Sequence, residues 1–473
     1  MSAEGSLEVR LFVGGEWREG SAGWQPIVDP ATAAPAGRVA LAGDGDLRDA
    51  IEAAQAAFGP WAALAADERG AVLKRAAELL SERGAGIAAV LSLESGKTPA
   101  EALGEIGRAA ETLAWNGEEA GRVEGRAIAG KSPAGRRLSL PAPVGVVAAF
   151  TAWNFPAVLA SRKLGALLAA GCTAVLKAAE ATPGTAAEVV RALADAGAPD
   201  GVVNLVFGDP ARISERLIGA PEIRAVTFTG STEVGRIIAG QAAQGLKRAV
   251  LELGGHAPVI VAEDGDVELA VAATLTAKFG CAGQSCVAPS RYYVHVSRYE
   301  AFTARFHEAV RALRDVGPVI DAGRLAALER LTGDAAARGA RILCGGARAE
   351  GRAGYFWVPT VLADVPPDAA IMREEPFGPV AALRAFSDLD EVIEEANSTD
   401  YAFAAYLFTD SLRTRQAVIS RLQATNIGIN QMAPSLPDAP LGGMQASGVG
   451  YEGGRDGIAA FQHHRLISET VAP

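Results

Sequence analysis

Hydrophobic positions follow two rhythms along this chain, and the change from one to the other divides it. Over residues 46–58 and 66–83, Ala, Leu, Glu and Arg recur at helical spacing, and a further amphipathic stretch covers 97–123. Side chains three and four apart share one helix face, so this spacing predicts a helical opening section. From Pro143 the texture changes to short apolar runs at 144–150, 173–176, 202–207 and 225–228, each followed by a helix-length segment. A second series runs through 257–261, 292–296, 341–343 and 381–386, with Ala- and Leu-rich segments between. Strands that alternate with crossover helices build parallel sheets, so the pattern predicts two α/β domains. No internal repeat, low-complexity tract or flexible linker interrupts it.

Composition narrows the picture. The 473 residues exceed one ordinary core, and 49% apolar residues suffice for two or three. The uncharged stretch 138–161 is broken by Pro141, Pro143, Asn154 and Pro156, so it reads as a buried strand and turn rather than a membrane span. Glu4, Glu8 and Arg10 stand where a secretory leader needs apolar residues. The four cysteines are too sparse for a disulfide scaffold, and no Cys/His cluster has zinc spacing, so no metal is expected. Reduced thiols and a cytoplasmic protein follow. The net charge of -11, without clustered Lys or Arg, excludes nucleic acid as a partner.

The chemistry centres on Cys286, in Lys278-Phe279-Gly280-Cys281-Ala282-Gly283-Gln284-Ser285-Cys286, which lies 34 positions after the acid of Leu251-Glu252-Leu253-Gly254-Gly255. A thiol with its ordinary pKa is mostly protonated at neutral pH, so a carboxylate that takes its proton makes it a nucleophile. Taken alone, an intracellular cysteine is most often an inert small hydrophobe, and a Glu beside two glycines a cap or ion-pair member. Together they imply covalent catalysis on a carbonyl. Their order resembles the aldehyde dehydrogenase superfamily, which carries E-L-G-G-x and then F-x-x-x-G-Q-x-C, and further matching segments extend from about Trp17 to the C-terminus. The Gly283-Gln284-x-Cys spacing selects Cys286 over Cys281, and Cys172 and Cys344 keep the inert reading.

The resemblance implies an aldehyde dehydrogenase-like α/β fold: a variant Rossmann NAD-binding domain over 1–120 and 142–252, and a catalytic domain over 253–440. A small β oligomerisation arm and C-terminal tail would cover 121–141 and 441–473. The arm would protrude as a hairpin, with the chain's end pairing with it or with a neighbouring subunit of a homodimer or homotetramer. Cys286 would form a thiohemiacetal with the aldehyde and then a thioester, with Glu252 as general base. Asn154, in Phe150-Thr151-Ala152-Trp153-Asn154-Phe155-Pro156, would join the Cys286 backbone N–H as an oxyanion donor, whose loss costs roughly 3 kcal/mol. Ala152 replaces the usual proline, and a turn Asn before a helix is the plainer reading.

The cofactor segment departs from G-x-G-x-x-G, because 225–228 leads into Thr229-Gly230-Ser231-Thr232-Glu233-Val234-Gly235. A strand, a small turn and a helix N-terminus still offer N–H groups to a pyrophosphate, with Gly230 and Ser231 at the turn. Lys177-Ala178-Ala179-Glu180 resembles the family's K-x-x-E, which binds the adenosine ribose, and is otherwise a surface i,i+3 ion pair. A carboxylate at Glu180 would accept a ribose hydroxyl and repel a 2′-phosphate, so NAD is expected in preference to NADP. Glu375-Pro376-Phe377-Gly378-Pro379 matches E-x-F-G-P, with Glu375 on the nicotinamide ribose and Phe377 near the nicotinamide; Trp153 is assigned to the same site.

Gly254-Gly255-His256-Ala257-Pro258, Pro440-Leu441-Gly442-Gly443-Met444 and Gly450-Tyr451-Glu452-Gly453-Gly454 look like the semialdehyde branch, especially succinate and 2-oxoglutarate semialdehyde dehydrogenases. Arg162 and Ser435 fall on carboxylate-binding positions of that branch, although Arg162 is equally a helix-surface residue. Gly280 stands where a second arginine is expected. That exchange opens space and removes charge, so a bulkier, uncharged or aromatic aldehyde remains beside succinate semialdehyde. The short Arg314-Asp315-Val316-Gly317-Pro318 segment reads as a surface deletion. Capture of the thioester by coenzyme A is a further alternative, which Glu252 argues against. A non-catalytic protein of the same fold is another, opposed by the intact Cys286, Asn154, Glu252 and Glu375.

Overall fold

A run such as Val146–Phe150 has no polar face, so it is stable only in a sheet covered on both sides. In the computed structural model, which describes residues 6–130, 135–433 and 435–470, it is a central strand of an eight-stranded sheet. Five strands lie parallel in the order Arg248–Glu252, Ile223–Thr229, Val146–Phe150, Thr173–Lys177, Val203–Val206. The chain steps outward from Val146–Phe150 through two neighbours and then returns to its other side for Ile223–Thr229. That reversal is a topological switch point, and open α/β sheets bind ligands in the crevice outside the carboxyl ends there. Antiparallel strands close both edges, Leu11–Val13 and Glu16–Arg18 on one and Gly448–Val449 on the other.

The second sheet has seven strands, ordered Arg341–Cys344, Thr360–Ala363, Val380–Phe386, Pro289–His295, Ala257–Val261, Ala404–Phe408, Asn426–Ile429, with only the first antiparallel. Successive side chains enter separate cores on its two faces: Ile260 and Tyr293 on one, Val259, Val261, Tyr292 and Val294 on the other. This two-sided burial is why the strands read as unbroken apolar runs. With it, the expected α/β fold is observed.

A three-stranded antiparallel sheet stands apart, in which Gln462–Thr470 pairs along the whole of Gly135–Pro143, with Arg126–Ala129 on the far side. The chain's end thus returns to the arm of its own subunit; the arm's tip, 131–134, lies outside the described residues, as does Glu4. Three features differ from the sequence expectation. The first forty residues hold five short strands, three of them in a separate sheet, where short and half-exposed segments leave no clear period. Helix Gly84–Ser95 was not anticipated, because Ala, Ile, Val and Leu surround it and mask the helical spacing. The uncharged stretch 138–161 contains the first turns of helix Pro156–Ala169, which is buried along its whole length, as well as strand. Among the described residues no helix is long and apolar enough to cross a membrane.

Candidate active site

The chain leaves the first sheet at Glu252 and enters the second at Ala257, so carboxyl ends of one meet amino ends of the other. At this junction a Cβ on Gly255 would lie 2.0 Å from the Cys286 carbonyl oxygen, and only glycine admits that approach. Cys286 follows the tight turn Gly280–Gly283, in which Cys281 and Ala282 take left-handed φ of 51° and 50°. Gln284 locks the turn. Its Nε2 donates to the Cys281 carbonyl at 3.0 Å, its Oε1 accepts from the Ile320 N–H at 2.9 Å, and its own carbonyl accepts from Asn154 Nδ2 at 3.1 Å. One N–H of the Asn154 amide is therefore engaged by protein, which leaves the second for an oxygen in the cavity.

Asn154 is held from behind by a buried ion pair that sequence reasoning did not single out. Lys97 Nζ donates to Glu105 and to the Asn154 carbonyl, while Glu105 Oε1 accepts from the Ala157 N–H at 3.0 Å, in the first turn of Pro156–Ala169. The Lys97 and Glu105 side chains are 2% and 0% exposed. A pair so placed is sustained by the extra hydrogen bonds that satisfy both members. Its signal in the sequence is Glu105 on the apolar stripe Ala102, Ile106, Ala109 and Leu113 of helix Pro99–Glu119.

Glu252 ends its strand buried, with no hydrogen-bond partner for Oε1 among the described residues. Burial pushes its pKa up to about 8, and nearby Glu452 adds to the rise, while Arg162 and Lys163 oppose it. Glu452 belongs to a second buried cluster: Lys163 Nζ donates to Glu452 and, at 3.0 Å, to Thr227 Oγ1, and Thr227 donates to Glu452 at 2.9 Å. In the sequence Glu452 stands out only within Gly450-Tyr451-Glu452-Gly453-Gly454, and nothing local marks Lys163. The Cys286 thiol is likewise pushed up, first by burial and then by Glu252 and Glu375. At pH 7 both Cys286 and Glu252 are therefore mostly protonated.

Cys286, Glu252 and Asn154 border one cavity of about 600 Å³, together with Arg162 and Ser435. Arg162 is buried, not on a helix surface; its Nη2 donates to Ser435 Oγ at 2.7 Å and its Nε has no partner among the described residues. Phe155, Val158, Leu159, Met432 and Leu436 supply apolar wall. Gly280 lies on the same wall, and a Cβ there would meet only Glu101 Oε1, at 3.7 Å.

The expected cofactor residues lie outside this cavity, at the carboxyl ends of neighbouring strands and beside Gly255. Ser231 caps helix Thr232–Gln244 by accepting from the Val234 N–H at 3.3 Å, and Gly230 sits where a Cβ would be 2.4 Å from the Phe228 ring. Lys177 and Glu180 do form the i,i+3 ion pair, at 2.7 Å, and Glu180 also accepts from the Gly208 N–H at 2.8 Å. Glu375 accepts from the Gly255 N–H at 3.1 Å; burial pushes it up to about 7, against the pull of that N–H and of Lys278. Trp153 meets Phe377 edge-on, with ring centres 5.6 Å apart. A helix N-terminus at a switch point, a pair of polar side chains at a neighbouring strand end and a carboxylate beside the Cys286 loop fit a dinucleotide.

A profile of the aldehyde dehydrogenase family matches residues 17–467. The chain is 46% identical over 461 residues to 4-(hydroxymethyl)benzenesulfonate dehydrogenase TsaD1 of Comamonas testosteroni, covering 95% of this chain and 96% of that one. It is 40% identical over 462 residues to the succinate-semialdehyde dehydrogenase [NADP(+)] GabD of Escherichia coli (strain K12), covering 96% of each. The crystal structure of succinate-semialdehyde dehydrogenase from Burkholderia pseudomallei superposes with a TM-score of 0.97 at 37% identity, over 100% of both chains. Likeness of this extent, in sequence and in fold, establishes that the chain belongs to the aldehyde dehydrogenase family.

Proposed function

We propose that this protein oxidises an anionic aldehyde to its acid through a thioester on Cys286, with NAD as the cofactor. The observation that carries the reading is the meeting of Cys286, Glu252, Asn154 and Arg162 around one cavity. Glu252 takes the Cys286 proton, and the sulfur adds to the aldehyde carbon to give a thiohemiacetal. Its oxyanion faces the Cys286 backbone N–H and the remaining Asn154 N–H, donors held rigid by Gln284 and by the Lys97–Glu105 pair. Gly230, Ser231, Lys177, Glu180, Glu375, Phe377 and Trp153 would hold a nicotinamide dinucleotide, which would supply the hydride acceptor. Glu252 then activates water against the thioester, and the acid leaves with Cys286 restored. A carboxylate base beside the thioester favours water over coenzyme A. Glu180 would accept a hydrogen bond from the ribose 2′-hydroxyl, which a 2′-phosphate cannot donate, and this supports NAD over NADP.

The Arg162 fork with Ser435 suits the carboxylate of a small ω-semialdehyde such as succinate semialdehyde. A second reading, an aromatic aldehyde bearing an anion, is favoured by Gly280 and by the size of the cavity, and the benzenesulfonate relative is in keeping with it. NADH formation with succinate semialdehyde, 4-formylbenzenesulfonate and benzaldehyde, using wild type and Cys286→Ala, tests the reading. Turnover lost in the variant, an acyl adduct on Cys286 by mass spectrometry and a higher kcat/KM with NAD than with NADP are expected. Activity that survives Cys286→Ala would sink the mechanism, and a preference for NADP the cofactor assignment.

The three-stranded arm supports a homodimer or homotetramer. Leu466 is 64% exposed and Ile128 42%, a poor surface for an isolated subunit. A sedimentation experiment with Leu466→Asp is expected to show weaker association; a monomeric wild type would overturn this.

A further inference from the structure

Three basic side chains line the cavity that holds Cys286, and two of them have side-chain partners within the protein. Lys97 is bound to Glu105 and to the Asn154 carbonyl, and Arg162 to Ser435. The third, Arg108, is exposed on helix Pro99–Glu119, and its guanidinium has no ion pair or hydrogen bond within the protein among the described residues. The acids on that side of the helix do not neutralise it. Glu101 accepts from the Thr98 and Cys281 N–H groups, Glu105 is held by Lys97 and Ala157, and Glu111, one turn beyond, makes no ion pair with it. A free guanidinium at the rim of a cavity that otherwise presents mostly carbon is a ready anion receptor.

Its direction matters. A Cβ built on Gly104 would lie 3.6 Å from Arg108 Nη1, so the guanidinium folds back over Gly104, one turn toward Glu101. Glu101 is also the one neighbour that a Cβ on Gly280 would meet. Two glycines therefore clear the ground between Arg108 and the nucleophile turn. Arg162, by contrast, is buried and close enough to pull on both Cys286 and Glu252. The inner arginine suits an anion a few atoms from the aldehyde; the outer one suits an anion carried further out by a rigid apolar spacer.

We propose that Arg108 is the outer anion anchor of this cavity, and that it selects an aldehyde with a ring-sized apolar body and a carboxylate or sulfonate at the end remote from the aldehyde. The proposal rests on the reading that this cavity binds the substrate, and it adds the residue that sets the substrate class. Product analogues test it without turnover. Benzoate, terephthalate and 4-sulfobenzoate are titrated calorimetrically into full-length wild type, Arg108→Gln and Arg108→Lys. Wild type is expected to bind at least one of the two dianions about tenfold more tightly than benzoate, the yield of one charge-assisted hydrogen-bonded pair. Arg108→Gln should erase that ratio and Arg108→Lys retain part of it, and the stronger dianion identifies the preferred anion. A ratio unchanged by Arg108→Gln, or a wild type that prefers neither dianion, overturns the proposal. The two readings fail separately: an intact ratio without any Cys286 adduct sinks the catalytic one, whereas a trapped adduct with an unaltered ratio sinks the anchor.

Discussion

Burial sets the acidity of Glu252, and the pH dependence of thioester hydrolysis reports it. With the carboxyl pushed up to about 8, roughly one-tenth of the molecules carry ionised Glu252 at pH 7 and about nine-tenths at pH 9. If the carboxylate activates the attacking water, loss of an acetyl group from Cys286 should rise about tenfold over that range and level off above it. Direct attack by hydroxide would instead rise about a hundredfold, without a plateau. The protein is acylated with p-nitrophenyl acetate at low pH, jumped to each test pH, and the remaining adduct measured by quenched mass spectrometry. Glu252→Gln keeps the shape and removes the base, so its hydrolysis should be slower by about 10²- to 10⁴-fold and lose the plateau. Glu452→Gln removes a like charge that raises the Glu252 pKa, so the midpoint should move to lower pH. A Glu252→Gln profile superimposable on that of wild type would refute the reasoning.

Two further outcomes follow from the buried charges. Lys97→Met leaves Glu105 buried without its cation and should lower the urea-derived free energy of unfolding by about 3–5 kcal/mol. The double variant Lys97→Met/Glu105→Gln should recover much of that stability but not the activity, because the Asn154 carbonyl still lacks its donor; equal recovery of both would contradict the clamp. Arg162→Ala removes a buried fork and should raise KM for succinate semialdehyde by about ten- to a hundredfold, as loss of a charged hydrogen bond predicts. An unaltered KM means that Arg162 does not hold the carboxylate.

The site presents a neutral face at rest. Cys286 and Glu252 are both shifted toward their protonated forms, and Glu252 contributes to the rise at Cys286. Moving one proton away is therefore the step that the surrounding groups must favour, and Arg162 and Lys163 pull in that direction. Lys163 does so while tied to Thr227 and Glu452, so a side chain that reads as one of many helix lysines acts on Glu252.

Local pattern determined much by itself. The strands Val146–Phe150, Thr173–Lys177, Val203–Val206, Ile223–Thr229, Ala257–Val261 and Val380–Phe386 stand where short apolar runs occur, and helices Asp44–Ala63 and Ala66–Glu82 where apolar residues recur every three or four positions. Residue order along the chain likewise paired Cys286 with Glu252. Tertiary structure decided what depends on distance and burial. It brought Glu452 to Lys163 across 289 positions and Ser435 to Arg162 across 273, and it laid Gln462–Thr470 on Gly135–Pro143. It also left Arg108 without a side-chain partner among the described residues while engaging Lys97, although both lie on one short segment. The physical reason is that periodicity reports only which face of a single element is apolar. Whether a charge on that element meets a partner, water or a low-dielectric cavity depends on the other elements packed against it, and so does its pKa.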